Sequence, residues 1–190
     1  QFFINATDRS SAQPDLSLLN EAILHANKKV YEASQAHSAY DGMGTTVVTL
    51  VAYPPTVLIG FAGDSRAYLH RGDGLKQLTQ DHSLVNEYIK LGILTPEAAR
   101  THRLRNVISR GIGVGSTVQP ETFKVPVQTG DLFLLCTDGL SNMIDHEKIN
   151  DILTQTRGKG PDIAASALIE GAKEKGGRDN ITVVLVSFEA

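Results

Sequence analysis

Three aspartates stand beside strongly apolar stretches: Asp64 in Gly-Asp-Ser-Arg, Asp138 in Thr-Asp-Gly-Leu and Asp179 in Gly-Gly-Arg-Asp-Asn. Each places a carboxylate at the mouth of a strand. Carboxylates brought together repel one another unless cations sit between them, and hard oxygen ligands with adjoining backbone carbonyls suit Mg2+ or Mn2+. A clustered metal site follows if the strand ends meet. Taken one at a time, Asp-Gly and Gly-Asp are ordinary turn-formers, so it is the combination that asks for a functional reading. Cys136, the one cysteine, lies inside an apolar run and reads as a buried core thiol rather than a nucleophile.

The elements that must position these carboxylates are legible in the spacing of apolar residues. Residues 16–35 place Leu18, Leu19, Ala22, Ile23 and Ala26 at helical intervals after a polar opening with Asp8, Ser10, Ser11 and Pro14. Residues 45–53 are rich in β-branched types, Pro54-Pro55 breaks them, and 56–62 follow as a second, antiparallel strand. Strands at 66–70 and 75–79 flank Arg71-Gly-Asp-Gly74, a hairpin turn in which glycine tolerates positive φ. These four strands read as one meander. The more polar segment 83–110, with Pro96 opening a short helix, reads as an inserted subdomain. Strands resume at 122–127 and 131–137, the second a continuous apolar run expected to be buried on both faces. Helices are expected at 147–156 and 161–174, and 181–188 closes the chain as another buried strand. Strands and helices in blocks, without strict alternation, predict an α+β fold with antiparallel sheets.

Bulk properties narrow the function. With 190 residues and 41% hydrophobic content the chain fits one globular domain, 1–190. A net charge of -3 and a pI near 6.1 give no general reason to expect nucleic acid as partner. No apolar run approaches the roughly 20 residues that span a bilayer, so no membrane partner is expected. One cysteine and no zinc-spaced Cys/His cluster fit a reducing, cytoplasmic setting. A monomer is expected. The start at Gln1, without a methionine, suggests a truncated or processed chain.

Six segments, in order, resemble the successive signatures of the protein phosphatase 2C family, its bacterial-type members above all. They are Asp41-Gly-Met-Gly-Thr-Thr46, Gly63-Asp-Ser-Arg-Ala-Tyr-Leu69, Leu78-Thr-Gln-Asp-His-Ser83, Arg105-Asn-Val-Ile-Ser-Arg-Gly-Ile-Gly113, Gly130-Asp-Leu-Phe-Leu-Leu-Cys-Thr-Asp-Gly-Leu-Ser141 and Gly176-Gly-Arg-Asp-Asn-Ile-Thr-Val-Val184. Six in family order make accident a poor explanation. The resemblance implies two packed antiparallel β-sheets flanked by helices, an α-β-β-α sandwich, with a helical flap at 83–113. It implies a metal-dependent protein-serine/threonine phosphatase, in which a metal-activated water attacks phosphorus and no side chain acts as nucleophile. Two Mg2+ or Mn2+ ions are implied at Asp138 and Asp179, with a third held by Asp64 together with Asp138. Asn180 would orient water or phosphate. The implied partners are phosphorylated protein substrates of a serine/threonine kinase.

Departures from the family pattern lie at the front. A phosphate-gripping Arg, an acidic pair and a metal-bridging Asp-Gly are expected there, and none precedes the first helix. Asp41-Gly42 imitates that Asp-Gly, yet Thr45-Thr46 behind it match a later motif in which the residue before Gly is no ligand. The chain as written is therefore expected to bind metal weakly and to be inactive by itself. His102, Arg103 and Arg105 in the flap could greet a phosphopeptide, or could be a solvated helix face. His82 and His102 could donate a proton to the leaving oxygen, but each also reads as a structural or surface histidine. Two other readings stay open: a non-catalytic phosphatase-like regulatory or binding module, and a phosphatase acting on a small phosphorylated molecule or an anti-sigma-factor antagonist.

Overall fold

The first helix is opened by Asp15, whose side chain accepts a hydrogen bond from the Leu18 N–H at 2.8 Å. It thereby satisfies an amide that a first turn leaves unpaired. This computed structural model describes residues 15–189, so the polar opening with Asp8, Ser10, Ser11 and Pro14 lies outside the described residues. The helices are α1 (Leu16–Ala36), α2 (Leu84–Lys90), α3 (Pro96–Thr101), α4 (Asp138–Ser141), α5 (His146–Gln155) and α6 (Pro161–Glu174). The strands are β1 (Val47–Tyr53), β2 (Thr56–Ala62), β3 (Arg66–Arg71), β4 (Gly74–Gln77), β5 (Glu121–Pro126), β6 (Leu132–Cys136) and β7 (Val183–Ser187). Two antiparallel sheets with flanking helices make the α+β class expected of the sequence.

Contacts divide the chain into two compact units. The first takes the described residues up to Gly63 together with Asp81–Pro126, and the second takes Asp64–Gln80 with the described residues from Val127 onward. The expected four-strand meander is therefore corrected: β1 and β2 pair in one sheet and β3 and β4 in another. The break falls at Gly63, whose φ of 124° is a conformation that L side chains rarely adopt, and whose Cα lies so near Thr46 that a Cβ would meet it at 2.4 Å.

In the first unit the sheet order is β1-β2-β5, with Val47 opposite Ala62 and Phe61 opposite Glu121. Helix α1 presents Leu19, Ile23 and Asn27 at four-residue intervals, all buried. Leu19 and Ile23 approach Gly60 of β2 closely enough that a Cβ there would sit 2.8 Å from Ile23 Cδ1. Buried Asn27 is bonded through both ends of its amide: its Oδ1 accepts from the Gly113 N–H at 2.8 Å, and its Nδ2 donates to the Gly115 and Ser116 carbonyls at 3.1 and 3.4 Å. Residues 83–110 contain only the short helices α2 and α3, each opened by a side-chain cap, Ser83 or Thr95.

The second unit has the order β4-β3-β6-β7. Strand β6 is paired on both edges and its last four residues are buried, as its unbroken apolar run requires. Strand β7, expected to be buried, is instead an edge strand with Val184 half exposed. An apolar run does not distinguish a central from an edge position. Helices α4, α5 and α6 bury Leu140, Ile149, Leu153 and Leu168 with Tyr68, Leu134 and Cys136 of the sheet in one cluster. Cys136 is the buried core thiol expected.

One charge pair anchors this unit. Asp131, 1% exposed, receives Arg71 Nε and Nη2 at 2.7 Å each, and the Gln128 N–H at 2.8 Å. Burial alone would raise its carboxyl, but these hydrogen bonds and the guanidinium charge hold it below the usual carboxylate range. A carboxyl so depressed stabilises the fold above the ordinary carboxylate pKa, and that contribution is lost as pH falls through the folded value. Asp131→Asn is therefore expected to cost about 2 kcal/mol at pH 7, because Arg71 stays partly solvated. In urea titrations the gap to wild type should close below about pH 4; a gap independent of pH would contradict the assignment.

Candidate active site

The second unit carries the candidate carboxylates beside β3, β6 and β7. Residue Asp138 begins α4 directly after β6, and its N-cap residue is Thr137. Residues Asp179 and Asn180 precede β7, at the end of a loop that leaves α6 through Gly176 and Gly177, with φ of 120° and 49°. Asp64 leads into β3, two residues before Arg66.

The loops carrying Asp138 and Asp179 touch. Thr137 Oγ1 donates to the Asn180 carbonyl at 3.2 Å and accepts from the Thr182 N–H at 3.1 Å, and the Thr137 N–H donates to the Thr182 carbonyl at 3.1 Å. On the other side of Asp138, a Cβ at Gly139 would lie 2.2 Å from the Asn180 carbonyl oxygen. Only glycine fits there. The Asp138 carboxyl is held above the usual range, first by burial and then by the charge of Asp179, while the Gly139 N–H and the Arg66 charge pull the other way. Asn142 Nδ2 donates to Asp138 Oδ2 at 3.1 Å. The Asn180 N–H donates to Asp179 Oδ1 at 2.7 Å, so the exposed Asp179 side chain is turned back on its own loop.

These are hard oxygen donors whose mutual repulsion a divalent cation would relieve, which fits Mg2+ or Mn2+. The structure supplies the pair Asp138 and Asp179. No group of three or more His, Cys, Asp or Glu side chains among the described residues is gathered as a metal-holding cluster. Sequence reasoning missed Thr137, Gly139, Asn142 and Arg66. The Thr-Asp-Gly triplet carried the signal for two of them, since a glycine after a chemically active residue marks close backbone approach.

The other candidates lie in the first unit. His82 is fully buried and stacked on Phe61, with ring centroids 4.8 Å apart and planes 12° apart. Its Nδ1 accepts from the Gly63 N–H at 3.3 Å, which leaves the proton on Nε2 for Glu121 Oε1 at 2.9 Å. Burial first, then the Arg110 charge, lowers its pKa against the opposing pull of Glu121. It is a structural histidine. His102 ends α3, accepts from the Leu104 N–H at 3.2 Å through Nδ1, and meets Tyr88 edge to face. Arg103 and Arg105 are exposed after α3, and Asp41 is exposed beyond the turn Ser38–Tyr40.

Gly139→Ala is expected to cost about 2 kcal/mol or more, because the methyl meets backbone rather than a movable side chain. Thermal melting measures it, and a variant as stable as wild type would contradict the close approach of the two loops.

Comparison with known proteins places the chain in a family. A family model described as Protein phosphatase 2C matches residues 4–181. The serine/threonine phosphatase stp of Listeria welshimeri serovar 6b is 40% identical over 168 residues, 88% of this chain and 66% of that protein. The chain thus spans about two thirds of the length of the curated relatives it matches. Among solved structures, the S. agalactiae serine/threonine phosphatase superposes with a TM-score of 0.87 at 34% identity, over 98% of this chain and 79% of that one. The catalytic domain of the serine threonine protein phosphatase PstP, solved in complex with two manganese ions, gives 0.79 at 32% identity, over 96% and 76%. Six ordered motifs, the two-sheet α+β fold and these matches have one explanation: the chain belongs to the protein phosphatase 2C family.

Proposed function

We propose that this chain is part of a metal-dependent serine/threonine protein phosphatase that hydrolyses phosphoserine and phosphothreonine in proteins phosphorylated by a kinase. The observation that carries the reading is the pair Asp138 and Asp179, two carboxylates on touching loops, with Asp138 held above the usual pKa range first by burial and then by the charge of Asp179. Such a pair is destabilised without a counter-ion. Asp138 and Asp179 would hold a binuclear Mg2+ or Mn2+ site, and Asp64 with Asp138 a third ion. When bound, the ions acidify water and neutralise charge developing on the phosphoryl oxygens.

The chain's own residues supply the rest. Asn142 orients the Asp138 carboxylate through its 3.1 Å bond. Asn180, exposed beside Asp179, would orient water or phosphate through its side-chain amide. Exposed Arg103 and Arg105 offer guanidinium groups that suit a phosphopeptide's negative charge. His82 takes no part in proton transfer, because both ring nitrogens are committed within the fold.

The test is hydrolysis of a phosphothreonine peptide by the full-length protein carrying this chain. Activity should require Mn2+ and disappear with chelator. Changes in groups that only orient metal ligands lower activity or affinity about 10–100-fold, so Asp138→Asn should lose at least about a hundredfold. A protein that binds the phosphopeptide without turning it over, with or without Mn2+, would sink the catalytic reading in favour of a binding module.

A further inference from the structure

Thr137 occupies the N-cap position of α4, where a threonine hydroxyl ordinarily accepts a hydrogen bond from an amide two or three residues on. It makes no such bond. Its hydroxyl is diverted to the neighbouring loop, donating to the Asn180 carbonyl and accepting from the Thr182 N–H. One side chain thus joins the residue before Asp138 to the residues just after Asp179. The loop needs such a tie, because the double glycine Gly176-Gly177 lets it swing out of α6 and Asp179 carries a charge repelled by Asp138. Residues 173–180 are exposed throughout.

We propose that Thr137 is a positioning residue whose hydroxyl latches the Asp138 and Asp179 loops together, and so sets the affinity of that carboxylate pair for a divalent cation. The cation part rests on the metal-site reading above; the latch itself does not. Because the junction is open to solvent, water replaces the lost bonds when the hydroxyl is removed, and the change falls on loop position rather than on folding. Valine keeps the branched shape but neither donates nor accepts, alanine adds no bulk, and serine keeps the hydroxyl.

The experiment is calorimetric titration of Mn2+ into wild type, Thr137→Val, Thr137→Ala, Thr137→Ser and Asp138→Asn, with amide exchange at Thr182 measured without metal. Thr137→Val and Thr137→Ala should weaken Asp138-dependent Mn2+ binding by about tenfold or more and speed Thr182 exchange by a similar factor. Thr137→Ser should restore both to within about twofold of wild type, which a purely steric role for Thr137 would not produce. Wild-type Mn2+ affinity in the valine and alanine variants overturns the latch and leaves the metal site standing. If wild type shows no Asp138-dependent binding, the metal reading falls and exchange alone decides. Unchanged Thr182 exchange in both loss variants then overturns the latch; faster exchange reversed by serine supports it.

Discussion

Strand β6 is the constraint on which the second unit depends. Its five residues pair with β3 on one edge and β7 on the other, so its ends cannot shift without breaking two ladders. Both ends carry a carboxylate with an opposite fate. At the start, Asp131 continues the register of the β3 pairing to face Arg71, and the bidentate bond keeps it charged despite burial. At the end, Asp138 emerges next to Asp179, and burial with a like charge pushes its pKa up. The first carboxylate stabilises the strand that aims the second.

That contrast separates a carboxylate satisfied within the fold from one that is not. A buried charge with a guanidinium partner is satisfied within the fold. A partly buried carboxylate within reach of a like charge is not, and Arg66 only partly offsets the repulsion. The chain holds this arrangement by close packing and hydrogen bonding: a glycine at 139 that admits the Asn180 carbonyl, and a threonine at 137 whose hydroxyl bridges the gap.

Much of this was legible in the residues. The α1 periodicity, the Arg71–Gly74 hairpin and the β6 apolar run each follow from local pattern, and their bounds agree with the structure to within a few residues. The division of four strands between two sheets was not legible, because the chain leaves β2 through a glycine at 63 with positive φ, and glycine has no side chain to announce such a break. The edge position of β7 depends on which strands pair, a non-local fact. Asp138 and Asp179 stand out in the sequence as candidate site residues through their Asp-Gly and Arg-Asp-Asn motifs. The contact between their loops was not, since it is made by backbone carbonyls and one hydroxyl 43 residues apart in sequence. His82, readable as an acid or as a structural group, is decided by its stacking on Phe61 and its two committed nitrogens.

The central claim is that the two touching loops form a divalent-cation site, and paramagnetic broadening of backbone amide signals during Mn2+ titration tests it most directly. The account predicts that the first signals lost are those of residues 137–139 and 179–180, together in one titration step, with β4 and α5 unaffected. Broadening that begins elsewhere, or that reaches only one of the two loops, would contradict it.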